Sequence, residues 1–124
     1  MSPVVVFIPG GTFVVGSCES QMYGPQIILQ RDVVLVGVNY RLGPMGWLSL
    51  ENDEAPGNLG LHDQYLAMLW VRRNIATFGG DPDNVTLMGV SAGAMSIMCH
   101  LVSPFSEAGL FHKIIALSGI LHKP

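Results

Sequence analysis

Val85-Thr86-Leu87-Met88-Gly89-Val90-Ser91-Ala92-Gly93-Ala94-Met95-Ser96-Ile97-Met98 is the stretch that decides the fold of this chain. Its first four residues form an apolar, partly β-branched run that reads as a strand. From Ala92 to Val102 the composition turns helical. Only Gly89-Val90-Ser91 are left for the reversal, so the bend must be tight. Glycine at 89 and 93, two before and two after Ser91, removes side chains that would collide where strand and helix approach. A serine on such a bend sits in a strained conformation, its hydroxyl pushed out above the C-terminal end of the strand.

Working outward, Val4 to Ile8 is a second apolar strand, ended by Pro9-Gly10-Gly11. Pro25 to Gln30 suits a short helix or turn. Val33 to Val38 is a further strand, closed by Asn39-Tyr40-Arg41. Leu42 to Pro56, with Gly43-Pro44, Gly46 and three acids, reads as an ordered connection. Asn58 to Phe78 repeats Leu61, Tyr65, Met68, Leu69, Arg72 and Ile75 at three- and four-residue spacing. That predicts a long helix capped by Asn58 and stopped by Gly79-Gly80. Asp81-Pro82-Asp83-Asn84 reads as a turn into the deciding strand. After the Ser103-Pro104 break, Ile114 to Leu117 is a fourth strand, ending at Ser118-Gly119. The alternation predicts an α/β fold, a mostly parallel sheet with flanking helices.

The 124 residues fit one domain or a piece of one. Apolar residues make up 49% and charged residues only 12%, against about 25% charged in ordinary soluble domains. So little charge predicts surfaces that further chain would cover. The net charge of −3 and six scattered basic residues give no nucleic-acid footprint. No apolar run approaches the roughly 20 residues needed to span a bilayer. The N-terminus has no basic region before its apolar stretch, so neither signal peptide nor membrane anchor is visible, and the compartment stays unread. Cys18 and Cys99 make no disulfide framework, although they could pair, and are read as buried thiols. His62, His100, His112 and His122 show no ligand spacing, so neither a metal site nor a cofactor is expected.

Gly89-Val90-Ser91-Ala92-Gly93 matches G-x-S-x-G, a weak signal alone, since a plain turn with an exposed serine would carry it too. Its strand–turn–helix setting is what a nucleophile elbow requires. Acyl transfer also needs backbone donors for the developing oxyanion. Ala92, immediately after the serine, offers one. Gly10-Gly11-Thr12, in a glycine-rich loop after an earlier strand, offers Gly11 and Thr12. A diglycine after a strand is commonly just a turn. Both parts in the right chain order point to a serine ester hydrolase on an α/β-hydrolase fold, with Ser91 as nucleophile and Gly89 and Gly93 as its elbow glycines.

Six ordered blocks then carry a resemblance over nearly the whole chain. They are Val5 to Phe13, Val38 to Pro44, Ala55 to Gln64, Phe78 to Thr86, Gly89 to Ala94 and Leu110 to Lys113. In them the chain resembles the type-B carboxylesterases, which include cholinesterases and insect esterases. The resemblance implies a Ser–Glu/Asp–His triad acting on a small-molecule carboxylic ester, with Ser91 as nucleophile and Gly11, Thr12 and Ala92 as oxyanion donors. It also implies that residues 1–124 are part of a larger domain lacking N-terminal and C-terminal portions. The triad acid and histidine then come after the last residue here, and the piece alone should be nearly inactive. His100 and His112 match structural histidines of the family, and Glu107, in a loop, matches no triad acid.

Three positions depart from the family pattern. Pro9 replaces His or Tyr, Thr12 replaces Gly or Ala, and Val90 replaces a Glu beside the nucleophile. A β-branched Thr12 restricts the loop, and Val90 should alter turnover without abolishing it. The same changes would suit a catalytically inactive adhesion or binding domain, the competing expectation. Asp63, Arg41 and Asn39 are read as structural. Trp47 and Trp70 are read as packing residues, and Met95, Met98 and Cys99 as a core stripe.

Overall fold

The computed structural model of the chain describes residues 1–119; His122 and the rest of residues 120–124 lie outside them. In chain order the elements are β1 (Ser2–Ile8), β2 (Val34–Gly37), α1 (Gly43–Trp47), β3 (Ser49–Asn52), β4 (Ala55–Pro56), α2 (Leu59–Asn74), β5 (Gly80–Val90), α3 (Ala92–Val102) and β6 (Lys113–Leu117). Short 3-10 segments cover Ile28–Gln30 and Ile75–Phe78. Four strands form one sheet in the order β2-β1-β5-β6, every pairing parallel. The expected α/β architecture is therefore the observed one. The connection from Leu42 to Pro56 holds α1 and the small antiparallel pair β3–β4.

The core lies on one face of the sheet. Val4, Val6 and Ile8 of β1 and Val85 and Leu87 of β5 are fully buried against Met68, Val71 and Ile75 beneath α2 and Ile97 of α3. Burial of each such side chain contributes about 1.5–3 kcal/mol. The alternate residues Val5, Phe7, Thr86 and Met88 face the other way and are only partly covered. There Phe7, Leu35 and Met88 meet Tyr23, Ile27 and Ile28 around an apolar groove of about 470 Å³. Parallel sheets are usually covered on both faces. The low charge of the sequence reflects this half-open face and the exposed edge strand β6.

Several boundaries differ from the sequence reading, each for a local reason. Asp81-Pro82-Asp83-Asn84 is no connection outside the strand but a bulge within β5. Gly80 pairs with Ser2 and Val85 with Val4, so four residues lie opposite one. Pro82 cannot donate to the ladder, and Asp81 Oδ1 accepts the Asp83 amide at 2.9 Å. Asn58 does precede α2, but at φ 55, with no side-chain hydrogen bond to the helix. The buried row of the α2 segment is Gly60, Gln64, Met68, Val71 and Ile75; Met68 and Ile75 belong to the expected row, whereas Leu61, Tyr65 and Leu69 are only partly buried and Arg72 is exposed. A buried glutamine hides that row from hydropathy. In α3 the buried residues include Ala94, Ser96, Ile97 and His100; Met95, Met98 and Cys99 are half-exposed and are no core stripe. Cys18 and Cys99 are unpaired and partly exposed, not buried.

Candidate active site

Ser91 occupies the single residue between β5 and α3, at φ 52, ψ −119. No L-residue adopts that geometry without strain, about 1–3 kcal/mol. Both its backbone groups are engaged. Its amide donates to the Leu117 carbonyl at 2.8 Å, and its carbonyl accepts the Met95 amide at 3.0 Å. The bend is thus held from β6 as well as from its own helix. Among the described residues the hydroxyl has no protein partner.

The two elbow glycines sit where a side chain has no room. A Cβ on Gly89 would stand 2.6 Å from the Gly93 carbonyl carbon, and one on Gly93 would overlap the Ile8 carbonyl oxygen. The close approach expected at 89 and 93 is present, and Gly93 also presses on β1. Gly119 closes the far side: a Cβ there would meet the Ser91 carbonyl oxygen at 2.5 Å.

The diglycine loop leaves β1 directly beside this bend. A Cβ on Gly10 would stand 3.2 Å from Ser91 Cβ and 2.7 Å from the Val90 carbonyl oxygen. Gly11 follows at φ 127, then Thr12 and Phe13 at φ 56 and 63, left-handed values rare for such residues. The Gly11 carbonyl accepts the Val14 and Val15 amides, each at 3.0 Å. Thr12 bends its hydroxyl back to the same carbonyl at 2.7 Å. Among the described residues the amides of Gly11, Thr12 and Ala92 have no protein acceptor. Ala92 is the first residue of α3, where the helix dipole adds partial positive charge. The structure brings Ser91, Ala92 and the start of the diglycine loop together at the C-terminal edge of the sheet.

Two residues hold the loop that hydropathy did not single out. The Tyr40 hydroxyl, whose pKa burial raises, donates to the Pro9 carbonyl at 3.0 Å. Trp47, read as a packing residue, donates its indole N–H to the Phe13 carbonyl at 3.0 Å. The Asn39 carboxamide accepts the Cys18 amide at 2.9 Å, tying the segment after the loop to the end of β2.

Arg41 and Asp63, both read as structural, form an ion pair. Nε and one terminal nitrogen of Arg41 reach the two Asp63 oxygens at 2.8 Å each, and the Arg41 amide reaches Oδ2 at 2.9 Å. The Arg41 hydrogen bond holds the Asp63 carboxyl below its usual pKa. Arg41 is half-exposed.

Inside the α2–α3 interface lies a buried polar chain that the sequence reading missed. Ser96 Oγ donates to the Ala92 carbonyl at 2.9 Å, Gln64 Nε2 donates to Ser96 Oγ at 3.1 Å, and Gln64 Oε1 meets His100 Nε2 at 2.9 Å. Burial pushes His100 down to about 4. The ring is neutral at physiological pH and bonded to Gln64, the structural role expected of it. The signal in the sequence was spacing, because Gln64 falls on the Gly60–Met68 row. His112 is also structural, its Nδ1 accepting the Val85 amide at 3.1 Å. Glu107 lies near Tyr65 and Arg72, in an exposed loop. Among the described residues no cluster of His, Cys, Asp or Glu suits a metal, and no helix is long and apolar enough to cross a membrane.

A parallel sheet, a strained serine between strand and helix, and a glycine loop at the strand ends define an α/β-hydrolase fold. The juvenile hormone esterase from Manduca sexta, solved with OTFP covalently attached, superposes with a TM-score of 0.92 at 46% identity over 95% of this chain. The chain belongs to the carboxylesterase family, whose sequence model, "Carboxylesterase family", matches residues 1–124. It is 50% identical to esterase B1 of Culex pipiens over 119 residues, 94% of this chain and 22% of that protein. It is 44% identical to bile salt-activated lipase of Rattus norvegicus over 129 aligned residues, 98% of this chain and 21% of that protein. The chain spans about a fifth of these relatives and 22% of the Manduca sexta structure.

Proposed function

We propose that residues 1–124 are the nucleophile-bearing part of a serine carboxylesterase that cleaves small-molecule carboxylic esters through an acyl-Ser91 intermediate. The observation that carries the reading is the strained Ser91, at φ 52, ψ −119, with the diglycine loop against its side chain. Strain of this kind persists where surrounding structure over-determines it, commonly at functional sites. The family membership and the covalent OTFP on the Manduca sexta relative support it.

In the proposed reaction Ser91 Oγ attacks the ester carbonyl carbon and gives its proton to a histidine. The carbonyl π electrons move onto oxygen, and the amides of Gly11, Thr12 and Ala92 stabilise that oxyanion. Collapse of the tetrahedral intermediate breaks the bond to the alkoxide, which takes the proton from the histidine. Water, activated by the same histidine, then releases the acid and regenerates Ser91. The histidine and its carboxylate partner are assigned to sequence beyond residue 124, and the 124 residues alone are then nearly inactive.

The transcript that encodes these residues tests the assignment when it is read downstream and its full product is assayed on an activated ester. The reading expects both triad partners, and turnover that Ser91→Ala abolishes. A product lacking the acid or histidine, or one whose turnover survives Ser91→Ala, overturns it; a folded product without either partner fits the inactive binding domain instead.

A further inference from the structure

The Phe13 carbonyl, at the far end of the diglycine loop, accepts two hydrogen bonds. One comes from the Gly43 amide at 2.8 Å, the other from the indole N–H of Trp47 at 3.0 Å. The two aromatic rings also meet edge to face, with centroids 4.8 Å apart. Between this anchor and Ser91 lie Thr12 and Phe13, both left-handed. A β-branched and an aromatic residue in succession resist that conformation, which clashes Cβ against the backbone. It lasts only where neighbours hold it. One donor leaves a carbonyl free to swing about a single contact. A second donor fixes the Phe13–Val14 peptide plane, and with it ψ of Phe13 and the end point that the left-handed Thr12 and Phe13 must reach.

We propose that Trp47 is a positioning residue for the oxyanion loop: its indole N–H holds Thr12 and Phe13 left-handed, so that the Gly11 and Thr12 amides stay aimed at the developing oxyanion. This rests on the hydrolase reading above. Trp47 touches no substrate; it acts through the loop.

The test compares the full gene product with its Trp47→Phe and Trp47→Phe/Thr12→Gly variants on an activated ester, with fluorophosphonate labelling of Ser91 alongside. Phenylalanine keeps a ring against Phe13 and removes the donor. The expected result is a kcat lower by about tenfold with KM within about twofold, the mark of a contact that matters in the transition state. Adding Thr12→Gly restores most of the lost kcat, because glycine takes positive φ without strain and no longer needs the anchor. An unchanged kcat in Trp47→Phe, or a loss that Thr12→Gly does not relieve, overturns the positioning role. A wild type that neither turns over nor is labelled overturns the hydrolase reading, and this proposal with it.

Discussion

His100 Nε2 lies 2.9 Å from Gln64 Oε1 in the interface between α2 and α3. The direction of the whole chain follows from its other end. The Ala92 carbonyl can only accept, so Ser96 donates to it and accepts from the Gln64 amide group. That turns Gln64 Oε1 toward His100, whose Nε2 must carry the proton. The first turn of α3, which presents Ala92, is thereby pinned to α2.

Stability should therefore fall with pH over a defined window. The unfolded chain binds a proton on His100 below its ordinary value of 6.5, whereas the folded chain resists until about 4. A depressed histidine pKa makes no difference above 6.5, costs stability as pH falls from 6.5 to 4, and costs no more below that. The full loss is roughly 3 kcal/mol. Denaturant unfolding of wild type and His100→Gln between pH 7.5 and 4 isolates it, because titrations of the carboxylates cancel in the difference. A difference that is flat in pH contradicts the account.

Gly93 and Gly43 separate crowding from backbone strain. A Cβ on Gly93 overlaps the Ile8 carbonyl, whereas one on Gly43 meets nothing within 4 Å but sits at φ 56. Gly93→Ala should lose about 3 kcal/mol or fail to fold, as overpacking does. Gly43→Ala should lose about 1 kcal/mol, the left-handed penalty alone. Equal losses in urea melts would remove the steric reason for the elbow glycine.

Removing the middle of the buried chain should cost more than one hydrogen bond. Ser96→Ala deletes the donor to Ala92 and leaves the Gln64 amide group buried without its acceptor, a loss of about 1–3 kcal/mol. Ser96→Thr keeps the hydroxyl and should recover part of it. If thermal melts show Ser96→Ala to be neutral, the chain holds nothing.

The strands and the elbow were legible because they depend on residues that act locally. Val4 to Ile8 is apolar enough to demand a strand, and Gly89 and Gly93 bracket a turn too short for anything else. The Asp81–Asn84 bulge was misread because a Pro and three turn-forming residues describe a local bend equally well inside or outside a ladder. The indole hydrogen bond of Trp47, read only as a packing residue, and the role of Gln64 were missed for another reason. Those hydrogen bonds depend on partners 34 and 32 positions away in sequence, and local spacing, which places Gln64 on a buried row, does not name the partner. Hydropathy found Met68 and Ile75 of the buried row of α2 but passed over Gly60 and Gln64, because it assumed that buried means apolar.

Exposure of β6 gives the isolated 124 residues a predictable fault. Ile114, Ile115 and Leu117 are 37–45% exposed on an edge strand, an arrangement that invites intermolecular pairing. Expressed alone, the chain should elute from size exclusion as aggregate, and Ile115→Lys should raise the soluble fraction. A monodisperse monomer with a cooperative melt would contradict this.

The most direct test of the account is peptide mass spectrometry of the full gene product after reaction with a fluorophosphonate. The account predicts a single phosphonyl adduct on the peptide carrying Gly89-Val90-Ser91-Ala92-Gly93, placed on Ser91 by fragmentation and absent from Ser91→Ala. A folded protein left unmodified at Ser91, or labelled on a different serine, would contradict it.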